Sequence, residues 1–89
     1  MLSNRISFSL DLNGPSFPTD TACSSSMYAL DFAYKMLSSG ECDAALVGGT
    51  NLCLHPYVTL PFVKLGLVAR DGFCRPFDID ASGYTRAEV

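Results

Sequence analysis

The chain has 89 residues, enough for one small domain, and a formal net charge of -3. Hydrophobic residues make up 48% and charged residues only 17%, against about 25% charged in ordinary soluble domains. A short chain has a high surface-to-volume ratio and needs more polar surface than average, so this one reads as a slice of a larger core or one side of an extensive interface. The six cations run from Arg5 to Arg86 without a cluster, which argues against nucleic acid as a partner. No apolar run approaches the about 18 residues of a membrane span. Met1 to Arg5 lacks the apolar core of a signal peptide, so the expected compartment is reducing and cytoplasmic.

The cysteines agree with that compartment. Cys23, Cys42, Cys53 and Cys74 form no CxxC pair, and one histidine is too few for a zinc site. Buried thiols are expected at Cys42, Cys53 and Cys74, which lie in apolar stretches.

In chain order, Leu2, Ile6 and Leu10 recur every four residues and predict a short helix ending near Leu10. Asn13-Gly14-Pro15-Ser16 is a turn cluster, and Phe17 to Thr21 follows as a short extended segment with Pro18 marking an edge or interface. The strongest helix is expected from Cys23 to Ser39. Its serines stand at the N-terminal end, Gly40 closes it, and Lys35 sits near the C-terminus. Met27, Leu30, Phe32, Ala33, Met36 and Leu37 predict burial on most sides. Ala44 to Val47, within 43–51, reads as a buried parallel strand, so strand, helix and strand make one right-handed crossover of an α/β fold. A helix starting at Pro56 should be kinked or shortened by Pro61. Residues 69–82 read as a long ordered loop, and Tyr84 to Val89 as the start of a strand.

Asp20-Thr21-Ala22-Cys23-Ser24-Ser25-Ser26 is where chemistry is expected. A cysteine at a sharp turn from extended chain into helix is pushed outward. The N–H groups of a helix N-terminus stabilise a thiolate and can bind the oxyanion of an acyl group. From the pattern alone the ordinary reading of Cys23, a small helix-start residue, is the commoner one, because free cysteines are usually structural. His55, the one histidine, could pair with a cysteine as in cysteine proteases, but it precedes Pro56 without a catalytic signature and reads as a loop histidine. Gly48-Gly49 is too short for a phosphate-cradling loop and reads as close backbone packing.

The segment Asp20 to Ser26 resembles the active-site signature of β-ketoacyl synthases, the condensing domains of fatty acid and polyketide synthases. Asn4-Arg5-Ile6-Ser7, Asp11-Leu12, Gly14-Pro15-Ser16, Gly40 to Ala45, Gly48-Gly49 with Asn51, Leu65-Gly66, Asp71-Gly72, Cys74 to Asp78 and Gly83-Tyr84 resemble family positions in the same order. Asn51 to Pro56 and Ser82 to Arg86 are similar to animal, and in particular insect, fatty acid synthases. Pro61 and the stretch Arg86-Ala87-Glu88-Val89 depart from the family's pattern.

The resemblance implies a partial thiolase-like layered fold, with residues 1–89 a fragment of the N-terminal half of a ketosynthase domain, truncated at both ends. It implies that Cys23 takes an acyl chain and joins it to a malonyl unit by decarboxylative Claisen condensation. The family's two decarboxylation histidines lie further downstream, and His55 matches neither motif, so the segment is expected to be inactive alone. The implied partners are an acyl carrier protein bearing acyl and malonyl groups on phosphopantetheine, and a second copy of the parent protein, meeting near Phe17 to Thr21. No cofactor is expected in this segment, and NADPH only in reductive domains of a parent enzyme. The alternatives are a polyketide synthase fragment or a non-catalytic truncated product.

Overall fold

The computed structural model describes residues 1–86. Among the described residues, helices α1 (Leu2–Ser9), α2 (Ser25–Ser38) and α3 (Pro56–Lys64) are the regular elements, with a 3₁₀ turn at Ala22–Ser24 leading into α2. The chain divides into two compact units, Met1–Gly49 and Thr50–Val89.

All three helices stop by the same device. In α2 the Glu41 N–H donates to Met36 O (3.0 Å) and the Gly40 N–H to Leu37 O (3.2 Å), with Gly40 at φ +75°. This is the Schellman pattern, which satisfies two of the carbonyls that a helix end leaves open. Gly66 (φ +69°) ends α3 in the same way, through Leu67 N–H to Phe62 O. In α1 the left-handed position is held by Asp11 (φ 53°), with Leu12 N–H on Ser7 O at 2.8 Å. The predicted stop at Gly40 is therefore found. α3 runs through Pro61 to Lys64 rather than breaking there. Pro61 costs one N–H donor, but its carbonyl still accepts from Leu65 at 3.0 Å.

In the first unit, Ser16 Oγ donates to Asn4 Oδ1 of α1 at 3.3 Å. Phe17 meets Phe32 of α2 edge to face, with ring centroids 5.7 Å apart. These contacts place the segment before the 3₁₀ turn against the helices on both sides of it.

In the second unit the backbone crosses itself closely. Val68 and Tyr84 form an isolated parallel bridge, with Ala69 N–H on Tyr84 O and Tyr84 N–H on Leu67 O, each 2.9 Å. Gly83 makes the crossing possible. A Cβ there would lie 2.6 Å from Leu67 O and 2.8 Å from Ala69 N, and its φ of +142° suits glycine alone.

Two sequence expectations are corrected here. Neither Phe17 to Thr21 nor 43–51 forms a strand, and the bridge at Val68 is the one β-pairing among the described residues. A parallel strand exists through the N–H and C=O groups of its neighbours, and no neighbouring segment pairs with these two. Of the strand expected over Tyr84 to Val89, Tyr84 is paired and Thr85 and Arg86 are not; Ala87 to Val89, where the departure from the family pattern also falls, lie outside the described residues.

Nor is α2 buried. Its half-buried line is Ser25, Ala29, Ala33 and Met36, mostly small residues at helical spacing, whereas Met27, Leu30, Phe32 and Leu37 are exposed. The one residue buried among those described is Ala69, at 6% exposure. The expected stripe of α1 is likewise uncovered, with Leu2, Ile6 and Leu10 all exposed. The helical periodicity is real, but this chain holds too little mass to cover the faces it creates.

Candidate active site

Cys23 is solvent-exposed in the 3₁₀ turn, one residue before the N-cap of α2 at Ser24. The sharp corner lies one residue earlier than the elbow geometry suggests. Ala22 has φ +55°, a left-handed conformation that a β-carbon disfavours by about 1–2 kcal/mol.

Side chains surround that strained residue. The Ala22 N–H donates to Asp20 Oδ1 at 2.9 Å. The Ala22 carbonyl accepts from Ser25 Oγ at 2.6 Å. Ser25 Oγ in turn accepts from the Thr21 N–H at 2.9 Å and lies 3.4 Å from Asp20 Oδ1. Ser24 Oγ donates to Thr21 O (2.9 Å) and lies 3.0 Å from Thr21 Oγ1. The hydroxyls thus turn back onto the corner rather than forward onto the helix. No side chain caps α2 at Ser24, and the 3₁₀ turn already takes the Ser24 N–H to Thr21 O and the Ser25 N–H to Ala22 O. Gly49 lies beside that turn, where a Cβ would stand 4.0 Å from Ser26 Cβ.

Sequence reasoning placed Cys23 at the corner but missed Asp20 and Ser25. The signal for Asp20 is an Asx turn, in which the carboxylate accepts the N–H two residues on. The same device recurs at Asp71 with Phe73 N–H (3.2 Å) and at Asp78 with Asp80 N–H (2.9 Å). Ser25 carries no comparable local signal, because its hydroxyl reaches backward from inside the helix.

His55 has a structural role within the second unit. It is the N-cap of α3, its Nδ1 accepting the Tyr57 N–H at 3.2 Å, with the ring stacked 5.0 Å from that of Tyr57. Gly48 has open space around a would-be Cβ, so the close packing expected there is found at Gly83 instead.

All four cysteines are free thiols. The expectation of buried thiols is corrected at each of the other three. Cys74 is exposed, as are Phe73 and Phe77 near it, while Cys42 and Cys53 are half-buried. Cys53 Sγ accepts from Asn51 Nδ2 (3.3 Å) and Arg86 Nη2 (3.5 Å). Arg86 stacks over Phe62, 4.6 Å from the ring centroid, and reaches Tyr84 Oη at 3.3 Å. The Tyr84 hydroxyl first, and the Cys53 sulfur second, hold its guanidinium more firmly protonated than usual. Among the described residues no group of three or more His, Cys, Asp or Glu side chains could hold a metal ion, and no helix is long and apolar enough to cross a membrane.

The family described as "Beta-ketoacyl synthase, N-terminal domain" matches residues 1–89. The chain is 51% identical over 89 residues to a fatty acid synthase of Anser anser anser, covering 100% of this chain and 25% of that protein. It is 50% identical over 88 residues to a highly reducing polyketide synthase of Gibberella fujikuroi, covering 99% of this chain and 4% of that protein. Among solved structures it is similar to the oxazolomycin ketosynthase domain of Streptomyces albus, with a TM-score of 0.76 and 40% identity over 94% of this chain and 15% of that one. The chain therefore spans a quarter or less of the relatives it matches. The likeness in structure supports the expected ketosynthase fold, although among the described residues Phe17 to Thr21 and 43–51 form no strands. An exposed cysteine on a strained corner before a helix, within a sequence matched along its whole length, leads to one assignment: the chain belongs to the β-ketoacyl synthase N-terminal domain family.

Proposed function

We propose that Cys23 is the acyl-accepting nucleophile of a condensing enzyme. The observation that carries this reading is its placement, exposed beside the Ala22 corner and one residue before the N-cap of α2. The Cys23 thiolate attacks the carbonyl of an acyl thioester, and the carrier thiol leaves with the proton. The oxygen of the tetrahedral intermediate is negative, and the N–H of Cys23 itself is the backbone donor nearest in sequence to meet it. A malonyl thioester then loses carbon dioxide. Its enolate carbon attacks the Cys23 thioester carbonyl, the carbon–sulfur bond breaks, and the thiolate returns to Cys23 as the 3-oxoacyl product forms.

The acyl and malonyl groups arrive on phosphopantetheine of an acyl carrier protein, and the parent enzyme works as a cytoplasmic homodimer. Similarity to a fatty acid synthase favours fatty acid chains as substrates. Similarity to several polyketide synthases favours the second reading, a polyketide chain on the same thiol. Either way Cys23 is acylated. In the full-length protein, Cys23→Ser should cut condensation by orders of magnitude with little change in folding, because the hydroxyl keeps the shape but ionises far less readily. Full activity in that variant would end the reading.

A further inference from the structure

We infer that Asp20 and Ser25 are positioning residues for the Cys23 nucleophile, acting through the backbone of Ala22; the inference rests on the acyl-transfer reading above. The two polar backbone groups of Ala22 are each held by a side chain. Asp20 Oδ1 accepts the N–H at 2.9 Å, a bond strengthened by the carboxylate charge. Ser25 Oγ donates to the carbonyl at 2.6 Å. A hydroxyl has one proton, and the shorter contact takes it, so the 3.4 Å approach to Asp20 is secondary. The lone pairs of Ser25 Oγ accept the Thr21 N–H at 2.9 Å. One hydroxyl therefore ties the residues on either side of the bend to the first turn of α2.

Ala22 stands at φ +55°, where an L-residue does not rest unaided. Without the clamp, Ala22 relaxes toward negative φ and rotates the following peptide, which carries the Cys23 N–H and leads to its sulfur. Acyl transfer needs sulfur and oxyanion donors placed together to within fractions of an ångström, whereas encounter with the thioester does not. The clamp therefore governs the acylation rate rather than substrate binding.

The test is a double-mutant cycle in the full-length protein, with an acyl-N-acetylcysteamine thioester as probe and the Cys23 adduct followed by mass spectrometry. Ser25→Ala should lower the acylation rate about tenfold while the KM for the thioester changes less than about twofold. Ser25→Thr, which keeps the hydroxyl, should recover most of the rate. Glycine adopts positive φ without strain, so in an Ala22→Gly background the loss caused by Ser25→Ala should shrink to about threefold or less. A role confined to general stability would instead give equal losses in both backgrounds. Should Ser25→Ala unfold the protein, Asp20→Ala run through the same cycle carries the same expectation. An unmodified wild-type Cys23 would overturn the proposed function. A modified wild-type Cys23 with Ser25→Ala acylating at the wild-type rate, or with equal losses in both backgrounds, would overturn this inference alone.

Discussion

The corner at Asp20–Ser25 and the crossing at Gly83 both hold backbone in conformations that L-residues avoid, and they do so by opposite means. At the corner an alanine is kept at φ +55° by side-chain hydrogen bonds from residues within three positions of it. At the crossing a glycine is needed because the strand-like segments at Val68 and Tyr84 approach too closely for any side chain. The corner is exposed and polar, and it leaves Cys23 accessible. The crossing holds the one buried residue of the described chain, Ala69. Local polar bonds can thus hold a strained corner where no core exists, whereas the crossing depends on the fit of backbone against backbone.

The crossing is the more fragile of the two. Gly83→Ala places a Cβ 2.6 Å from Leu67 O and forces φ +142° on an alanine, so about 3 kcal/mol of destabilisation is expected. Denaturant unfolding of the full-length protein would measure it, and a loss below about 1 kcal/mol would mean the crossing is not tight. Gly40→Ala sharpens the comparison, since Gly40 shares the positive φ but has nothing within 4 Å of its would-be Cβ. Strain alone predicts a smaller loss of about 1 kcal/mol, read from the same unfolding curves.

The smallest expected effect concerns Asp71 in the second unit. Its carboxyl is held below the ordinary 3.8, first by the Phe73 N–H and then by Arg75, whose Nη1 lies 2.8 Å from it. The charged form is favoured in the folded state. Its contribution is therefore present in full above about pH 4 and lost as pH falls through the lowered value. Both partners are solvated, so the effect is modest. Carbon-detected NMR titration of Asp71 should show the depressed midpoint, and Arg75→Met should move it back toward 3.8. An unshifted midpoint in the wild type would contradict the assignment.

What was legible in the sequence was local. The helix after Cys23, its stop at Gly40 and the start of α3 at Pro56 follow from propensity and capping, which act over a few residues. The Asp11 stop of α1 was not legible, because aspartate in the left-handed region has no strong sequence mark. The burial of α2 was predicted from apolar periodicity, but periodicity says which face seeks cover and not whether cover is present. The two strands failed for a related reason, since a ladder belongs to a pair of segments and not to either one. Cys23 stood out at a motif that covers seven residues. The hydroxyl of Ser25 did not, because nothing in a serine at the first turn of a helix says that its side chain points backward.

The most direct measurement is the order in which the four thiols react. Cys23 is the thiol presented by the corner, while Cys42 and Cys53 are half-buried and Cys74 is exposed but lies outside any such corner. The full-length protein would be incubated with an acyl thioester at neutral pH, and a parallel sample with limiting iodoacetamide, and each would be mapped by peptide mass spectrometry. The acyl adduct is expected on Cys23 alone, and the first alkylation on Cys23. An acyl adduct on Cys42, Cys53 or Cys74, or alkylation of any of them ahead of Cys23, would contradict this.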